Sequence, residues 1–178
     1  MRRALIVAAL SLPVVLAACE RDEMKTGTPL AGGRMAVATL LTSAGLPAGR
    51  ATVTEVTGGL RVTLDARGLT PGNHGAHLHT VGRCDAPDFA SAGPHWNPAG
   101  TKHGTMNPQG PHAGDLPNLT VGPDGRGTLG ITLAGATLDG LLDADGAAMV
   151  VHAAADDLMT DPSGNSGGRI ACGVLTRG

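Results

Sequence analysis

Apolar and polar residues alternate with period two along much of the chain after residue 34. Leu60, Val62 and Leu64 share one parity in GGLRVTLDARG, and Leu129, Ile131 and Leu133 do so in GTLGITLAG. Ile170, Cys172 and Val174 repeat the pattern near the end, and MAVATLL from Met35 and ATVTEV from Ala51 are further strand candidates. Successive side chains of a strand point to opposite faces, so each run predicts one buried and one solvated face. Turn signals separate the runs at Leu46-Pro47-Ala48-Gly49, Gly58-Gly59 and Pro123-Asp124-Gly125. The pattern predicts an all-β, antiparallel sandwich or barrel with no amphipathic helix and no internal repeat. Two stretches break the rhythm, 81–118 and 152–169, both rich in turn residues. Long loops in a compact domain are usually functional or disordered.

The beginning of the chain reads differently. Arg2 and Arg3 precede an apolar run from Ala4 to Ala17, which ends in Leu16-Ala17-Ala18-Cys19. The run is too short for a comfortable membrane span and has the length of a signal-peptide core. Its end resembles a bacterial lipobox, which implies a lipoprotein signal peptide over 1–18, cleaved before a lipidated Cys19. The alternative is an ordinary secretory signal with a chance cysteine. Residues 19–34 then form the lipidated cysteine and a flexible tether, and 35–178 the folded domain. The expected location is the bacterial cell envelope, facing the periplasm, with a membrane attachment through Cys19. Of three cysteines, Cys84 and Cys172 remain as a pair. An oxidising compartment would let them form a disulfide; two buried free thiols are the alternative.

Composition narrows the function. The formal net charge is −2, which suggests neither a nucleic-acid partner nor a basic membrane protein. There are 28 glycines, 12 prolines, one Trp, one Phe and no Tyr, so the core must be aliphatic. A hydrophobic fraction of 42% argues against wholesale disorder.

The histidines carry the chemistry. All seven lie between 74 and 152, and six between 74 and 112. His77 and His79 are i and i+2 on a candidate strand, so both rings can face one ion, although one such pair alone is weak evidence. His95, His103, His112 and Asp115 share the long loop; three imidazoles and a carboxylate make a closed tetrahedral set typical of structural zinc. A His-rich disordered loop is the bland alternative. His152 ends a further strand, with Asp156 four residues on, and Arg169 precedes Ile170-Ala171-Cys172.

Together, Gly75-Ala76-His77-Leu78-His79, Gly93-Pro94-His95-Trp96, Lys102-His103-Gly104, Pro111-His112 to Asp115, His152 to Asp156 and Arg169 to Cys172 resemble copper/zinc superoxide dismutase over about Met35 to Leu175. The resemblance implies a Greek-key β-sandwich or flattened barrel of about eight antiparallel strands with two long functional loops. It implies one copper ion per subunit on His77, His79, His95 and His152, and one zinc ion on His95, His103, His112 and Asp115, with His95 bridging both. Asp156 would link His77 to His103, Cys84 and Cys172 would form the disulfide, and His74 would pack beneath the site. Arg169 and His95 would be the catalytic residues, with superoxide the substrate and a homodimer a possible assembly. Two departures stand out. The 84–95 segment is longer than in animal cytosolic members, and the 152–169 loop is shorter, lacks lysine and carries Asp156, Asp157 and Asp161. That leaves Lys102, Arg83 and Arg169 as candidates for drawing in an anion. A metal carrier on the same sandwich and a zinc hydrolase are the competing readings; the closed zinc set opposes the latter.

Overall fold

A computed structural model describes residues 33–178. The alternating runs become strands because each can bury one parity. In β1 (Met35–Thr42) the buried set is Ala36, Ala38 and Leu40; in β3 (Gly59–Ala66) it is Leu60, Val62 and Leu64. Between them, β2 (Pro47–Val56) pairs with both, from Met35↔Thr54 on one side and from Gly49↔Ala66 on the other. Pro47-Ala48-Gly49, which signals a turn in the sequence, lies inside this strand. The turn sits just before it, and the register slips between Leu40 and Leu41 to accommodate the change. A register slip of this kind lets residues with turn propensity remain in a ladder.

The chain continues through β4 (Gly72–His74) and β5 (Ala76–His79), and then a long excursion with one short 3-10 turn at Ala90–Ala92. It returns in β6 (Leu119–Val121), β7 (Gly127–Ala134), a four-residue helix α1 (Leu138–Leu141), β8 (Ala148–His152), β9 (Arg169–Val174) and β10 (Thr176–Arg177). The main sheet runs β5-β8-β9-β1-β2-β3-β7, with β10 added against β1, and every pairing is antiparallel. Strands β4 and β6 form a separate pair. The meander β1-β2-β3 is flanked by β7 and by β9, which arrive through long connections. This is a Greek-key arrangement of eight antiparallel strands curled around one aliphatic core, as the sequence resemblance implies.

One expected face is corrected. In β9 the predicted inward set of Ile170, Cys172 and Val174 is not the core set. Ala171 packs into the main core, while Cys172 belongs to a second cluster with Phe89, Ala92, Ala148 and Val150. The registers Val150↔Cys172 and Val151↔Ala171 place these on opposite faces of the same two strands. All five residues of β8 are buried, because the core covers one face and the 81–93 loop the other. A strand buried on both sides loses its alternation.

Cys84 and Cys172 are disulfide-bonded across a separation of 88 residues. In the chain-entropy account, closing a loop of that length restricts the unfolded state enough to stabilise by roughly 4–5 kcal/mol. Reduction of the metal-free protein is therefore expected to lower its denaturant midpoint substantially and to steepen the slope, because the unfolded chain expands, measured by chemical unfolding with and without reductant. An unchanged midpoint would contradict that contribution.

Candidate metal centre

Strand parity sets the location. His77 lies opposite Val150 and His79 opposite Ala148, so both histidines share the outer face with Ala148, Val150 and, two residues on, His152. The loops cover that face. Isolated bridges His77↔Asp115 and His79↔His95 stitch the long loop to β5, delivering one carboxylate and one imidazole beside the strand pair. His77, His79, His95, His103, His112, His152, Asp115 and Asp156 are all buried.

Two donor sets result. In His77, His79, His95 and His152, one ligand atom from each lies within 4.8 Å of the others, and the same holds for His95, His103, His112 and Asp115. In the first set His77 Nδ1 and the Nε2 atoms of His79, His95 and His152 are buried without a hydrogen-bond partner. A lone unsatisfied imidazole nitrogen in the interior is costly, and four converging ones make a site for a cation. In the second set Asp115 Oδ1 lies 2.9 Å from His95 Nδ1, 3.0 Å from His103 Nδ1 and 3.3 Å from His112 Nδ1. Donor atoms around a tetrahedral ion with bonds of 2.0–2.1 Å are roughly 3.3 Å apart, so the spacing fits zinc-like coordination. His95 is the one ring that offers a nitrogen to each set. Nitrogen-rich sites of this kind suit copper and zinc.

The opposite edges of four of these rings are held. His77 Nε2 and His103 Nε2 meet the two oxygens of Asp156 at 2.6 and 3.0 Å, so one carboxylate spans both sets. His79 Nδ1 donates to the Gly93 carbonyl at 2.8 Å and His152 Nδ1 to that of Gly167 at 3.1 Å. Asp115 Oδ2 accepts from the Gly104 and His112 amides at 2.8 and 3.0 Å. Such outer contacts fix tautomer and ring orientation. Asp156 is itself clamped, since its backbone exchanges two 2.8 Å hydrogen bonds with the Asn118 side chain. Gly164 is required beside it: a Cβ there would collide with Asp156 Oδ1 and lie 2.6 Å from His103 Nε2. His74 does more than fill space, with ring nitrogens 2.8 Å from the His152 carbonyl and 2.9 Å from that of Thr70.

Electrostatics favour ligation. Burial lowers the pKa of His77 to about 4, of His79 to about 2 and of His152 to about 3, which keeps these imidazoles neutral and their lone pairs available. Burial works to raise Asp115 and Asp156. Hydrogen bonds outweigh it, from His95 and Gly104 for the first and from His77, His103 and Leu158 for the second, and both carboxyls sit at about 2.

A cavity of about 420 Å³ opens to the first set, lined by His95, His152, Gly93, Gly167, Ser163 and Arg169 among others. Arg169 donates from Nη1 to the Phe89 carbonyl at 2.6 Å and from Nη2 to the Gly93 carbonyl at 2.7 Å. The Gly93 carbonyl therefore serves both His79 and Arg169. Gly93 has a φ of 73°, and a Cβ there would lie 2.9 Å from Thr80 Oγ1 and from Val81 Cγ2. A larger cleft of about 550 Å³ runs along β7 and reaches His112 and Asp115 at the back of the second set, but no lysine or arginine lines it.

The structure brings together every metal-ligand candidate named from the sequence, together with Asp156 and Arg169. Cys19 lies outside the described residues. Two steering candidates are accounted for otherwise: Lys102 pairs with Asp161 at 3.0 Å, and Arg83 pairs with Asp85. Among the described residues no carboxylate lies within salt-bridge distance of Arg169, whose pKa burial lowers while the more distant Asp88 raises it. The sequence reading misses Asp161 as a tie, although its carboxylate accepts the His103 amide at 2.8 Å. It also misses the Phe89 and Gly93 carbonyls, since a backbone oxygen leaves no mark in a sequence. The φ-demanding Gly93 beside His95 is the nearest signal.

A family model for copper/zinc superoxide dismutase (SODC) matches residues 47–175. The chain is 47% identical over 138 residues to a Cu-Zn superoxide dismutase of Caulobacter vibrioides, covering 74% of this chain and 79% of that protein. It is 41% identical over 144 residues to the Cu-Zn superoxide dismutase 2 of Aquifex aeolicus, covering 78% and 84%. Among solved structures, a SOD-like protein from Bacillus subtilis superposes with a TM-score of 0.74 at 41% identity, covering 79% of this chain and 97% of that one. The Cu/Zn superoxide dismutase from Brucella abortus gives 0.65 at 28%, covering 80% and 99%. With two adjoining donor sets that share an imidazole beneath an arginine-lined cavity, the chain belongs to the copper/zinc superoxide dismutase family and is an oxidoreductase.

Proposed function

We propose that this protein converts two superoxide anions and two protons to dioxygen and hydrogen peroxide, with copper held by His77, His79, His95 and His152 and zinc by His95, His103, His112 and Asp115. The observation that carries the reading is His95, whose two ring nitrogens serve two different donor sets. When bound, copper supplies one-electron exchange in both directions, and zinc supplies a fixed positive charge with no open coordination position.

The chain's own residues do the rest. Arg169 cannot lose its charge, and its guanidinium lines the cavity with no carboxylate beside it, so it attracts and orients a small anion there. Its two carbonyl acceptors hold the fork in one orientation. His95 also lines this cavity. Its Nε2 is the ring position that can take a proton and pass it to the reduced oxygen, while Nδ1 remains committed beside Asp115. Asp156 keeps His77 and His103 in the required tautomers. The location belongs to the same reading: a signal peptide over 1–18 and a lipidated Cys19 would put the enzyme in the cell envelope, where it removes superoxide arriving from outside.

Superoxide consumption by the copper- and zinc-loaded, disulfide-intact protein is expected to be fast and to vanish when copper is removed. A folded protein with both metals and no activity would favour the metal-carrier reading. Arg169→Ala is expected to lower turnover by roughly 10- to 100-fold, the loss of one charge-assisted contact, with both metals retained; an emptied copper site in that variant would contradict the assignment. Asp115→Ala is expected to lose zinc selectively on metal analysis, and stoichiometric zinc retention would overturn its role.

Acid should also weaken the metal-free fold. His77, His79 and His152 have folded-state pKa values of about 4, 2 and 3, below the ordinary 6.5 of the unfolded chain. As pH falls through about 6.5, the unfolded chain binds protons that the folded one refuses, so stability present above that pH is progressively lost. The melting temperature of the metal-free protein is expected to be level above about pH 7 and to fall steadily towards pH 4. A flat profile over that range would show that these rings are not buried neutral.

A further inference from the structure

The lone phenylalanine is out of place by every local rule. Phe89 has φ 55° and ψ 23°, a left-handed conformation that a bulky side chain rarely adopts, and no side-chain cap supports the turn it begins. It sits in the 84–95 segment, between the exposed Asp88 and Ala90, yet is itself only 2% exposed. Its side chain belongs to the small cluster of Ala92, Ala148, Val150 and Cys172, against which Cys84 packs. Its amide donates to the Asp85 carbonyl at 3.0 Å. Its own carbonyl takes the Ala92 amide at 3.1 Å and Arg169 Nη1 at 2.6 Å.

We propose that Phe89 is a positioning residue for Arg169: its ring, seated beside the Cys84–Cys172 disulfide and the outer face of β8, holds a disfavoured backbone conformation that aims its carbonyl at the guanidinium. Three observations converge on this. The left-handed residue is the very one whose carbonyl Arg169 uses. Most of the intervening loop is exposed, so the ring and Ala92 are its apolar fastening, beside the disulfide and the hydrogen bonds of the Asp85 amide to Ser91 Oγ at 2.7 Å and of the Val81 amide to the Ala92 carbonyl at 3.0 Å. The second acceptor, Gly93 O, is shared with His79 and is fixed by the β5 side of the site, so the Phe89 carbonyl is the acceptor that depends on the loop. Without the ring, only the Asp85 and Ala92 backbone hydrogen bonds oppose relaxation to an ordinary conformation that turns the carbonyl away. The cationic fork then keeps one acceptor and loses its fixed aim into the cavity. This rests on Arg169 as the anion-binding group of the proposed function.

The test uses azide, a small anion, titrated into the copper- and zinc-loaded, disulfide-intact full protein and followed through the copper optical spectrum. Phe89→Ala, Phe89→Val and Phe89→Leu are each made with Arg169 intact and with Arg169→Ala. Phe89→Ala is expected to weaken azide binding by roughly three- to tenfold with metal content unchanged, the partial loss of one charge-assisted contact. Phe89→Val should fall between, and Phe89→Leu, which restores the plug, should return affinity to within about twofold of the parent. In the Arg169→Ala background the same Phe89 changes should have almost no effect, because the group they act through is gone. Unchanged affinity in Phe89→Ala beside a weakened Arg169→Ala overturns the inference alone, as does an equal loss in both backgrounds. If Phe89→Ala fails to retain its metals, the Val and Leu variants decide by the same comparison. An Arg169→Ala protein with parental azide affinity overturns the anion role of Arg169 itself, and this inference with it.

Discussion

A group of imidazoles and two carboxylates buried beneath loops must each be given partners, and that demand organises the molecule. The aliphatic core accounts for the alternating strands of the sheet. What the polar cluster dictates is the outer face of β5 and β8, where two irregular loops meet and exchange hydrogen bonds. Asp156 accepts from one histidine of each donor set, Asp115 from two amides of its own loop, and carbonyls of Gly93 and Gly167 take the remaining ring edges. Each satisfies a buried nitrogen or oxygen, and those made to a ring turn its other nitrogen towards a common point. The atoms left over are the ones a metal would use.

The same contacts explain why the loops, although long, are ordered. Asn118 clamps the Asp156 backbone, Asp161 reaches the His103 amide, and the Met106 amide donates to the Leu158 carbonyl, so 103–118 and 156–164 are sewn together. The disulfide and Phe89 fasten the remaining segment, 81–93, over β8. Regular secondary structure contributes little here; side chain to backbone hydrogen bonds take its place. One result is electrostatic. Lys102 and Arg83 are consumed by neighbouring acids, which leaves Arg169 as the cation of the cavity in a loop system that is otherwise acidic.

Strands whose one face meets the core were readable from the chain, since Leu60, Val62 and Leu64 or Ala36, Ala38 and Leu40 carry their alternation openly. Strand β9 was misread in its facing because Cys172 is apolar in kind but lies under the 81–93 loop, while the small Ala171 takes the core position. The ligand set was legible because the histidines stand in a spacing that resembles the family's, and that resemblance picked Asp115 and Asp156 from the six aspartates of those loops. Phe89 and Gly93 act through carbonyl oxygens, which any residue possesses, so only geometry could reveal them. Asp161 looked like loop charge because an exposed acid and a backbone acceptor read the same in a sequence.

The two ends of β1 lie in different neighbourhoods. Thr42 pairs with Ala171, two residues from Arg169, whereas Met35 follows Arg34, which is bound with Arg177 to Asp139. Seven steps of strand separate Met35 from Thr42, about 23 Å at 3.3 Å per residue. The segment preceding Gly33 thus joins the domain at the pole remote from the cavity.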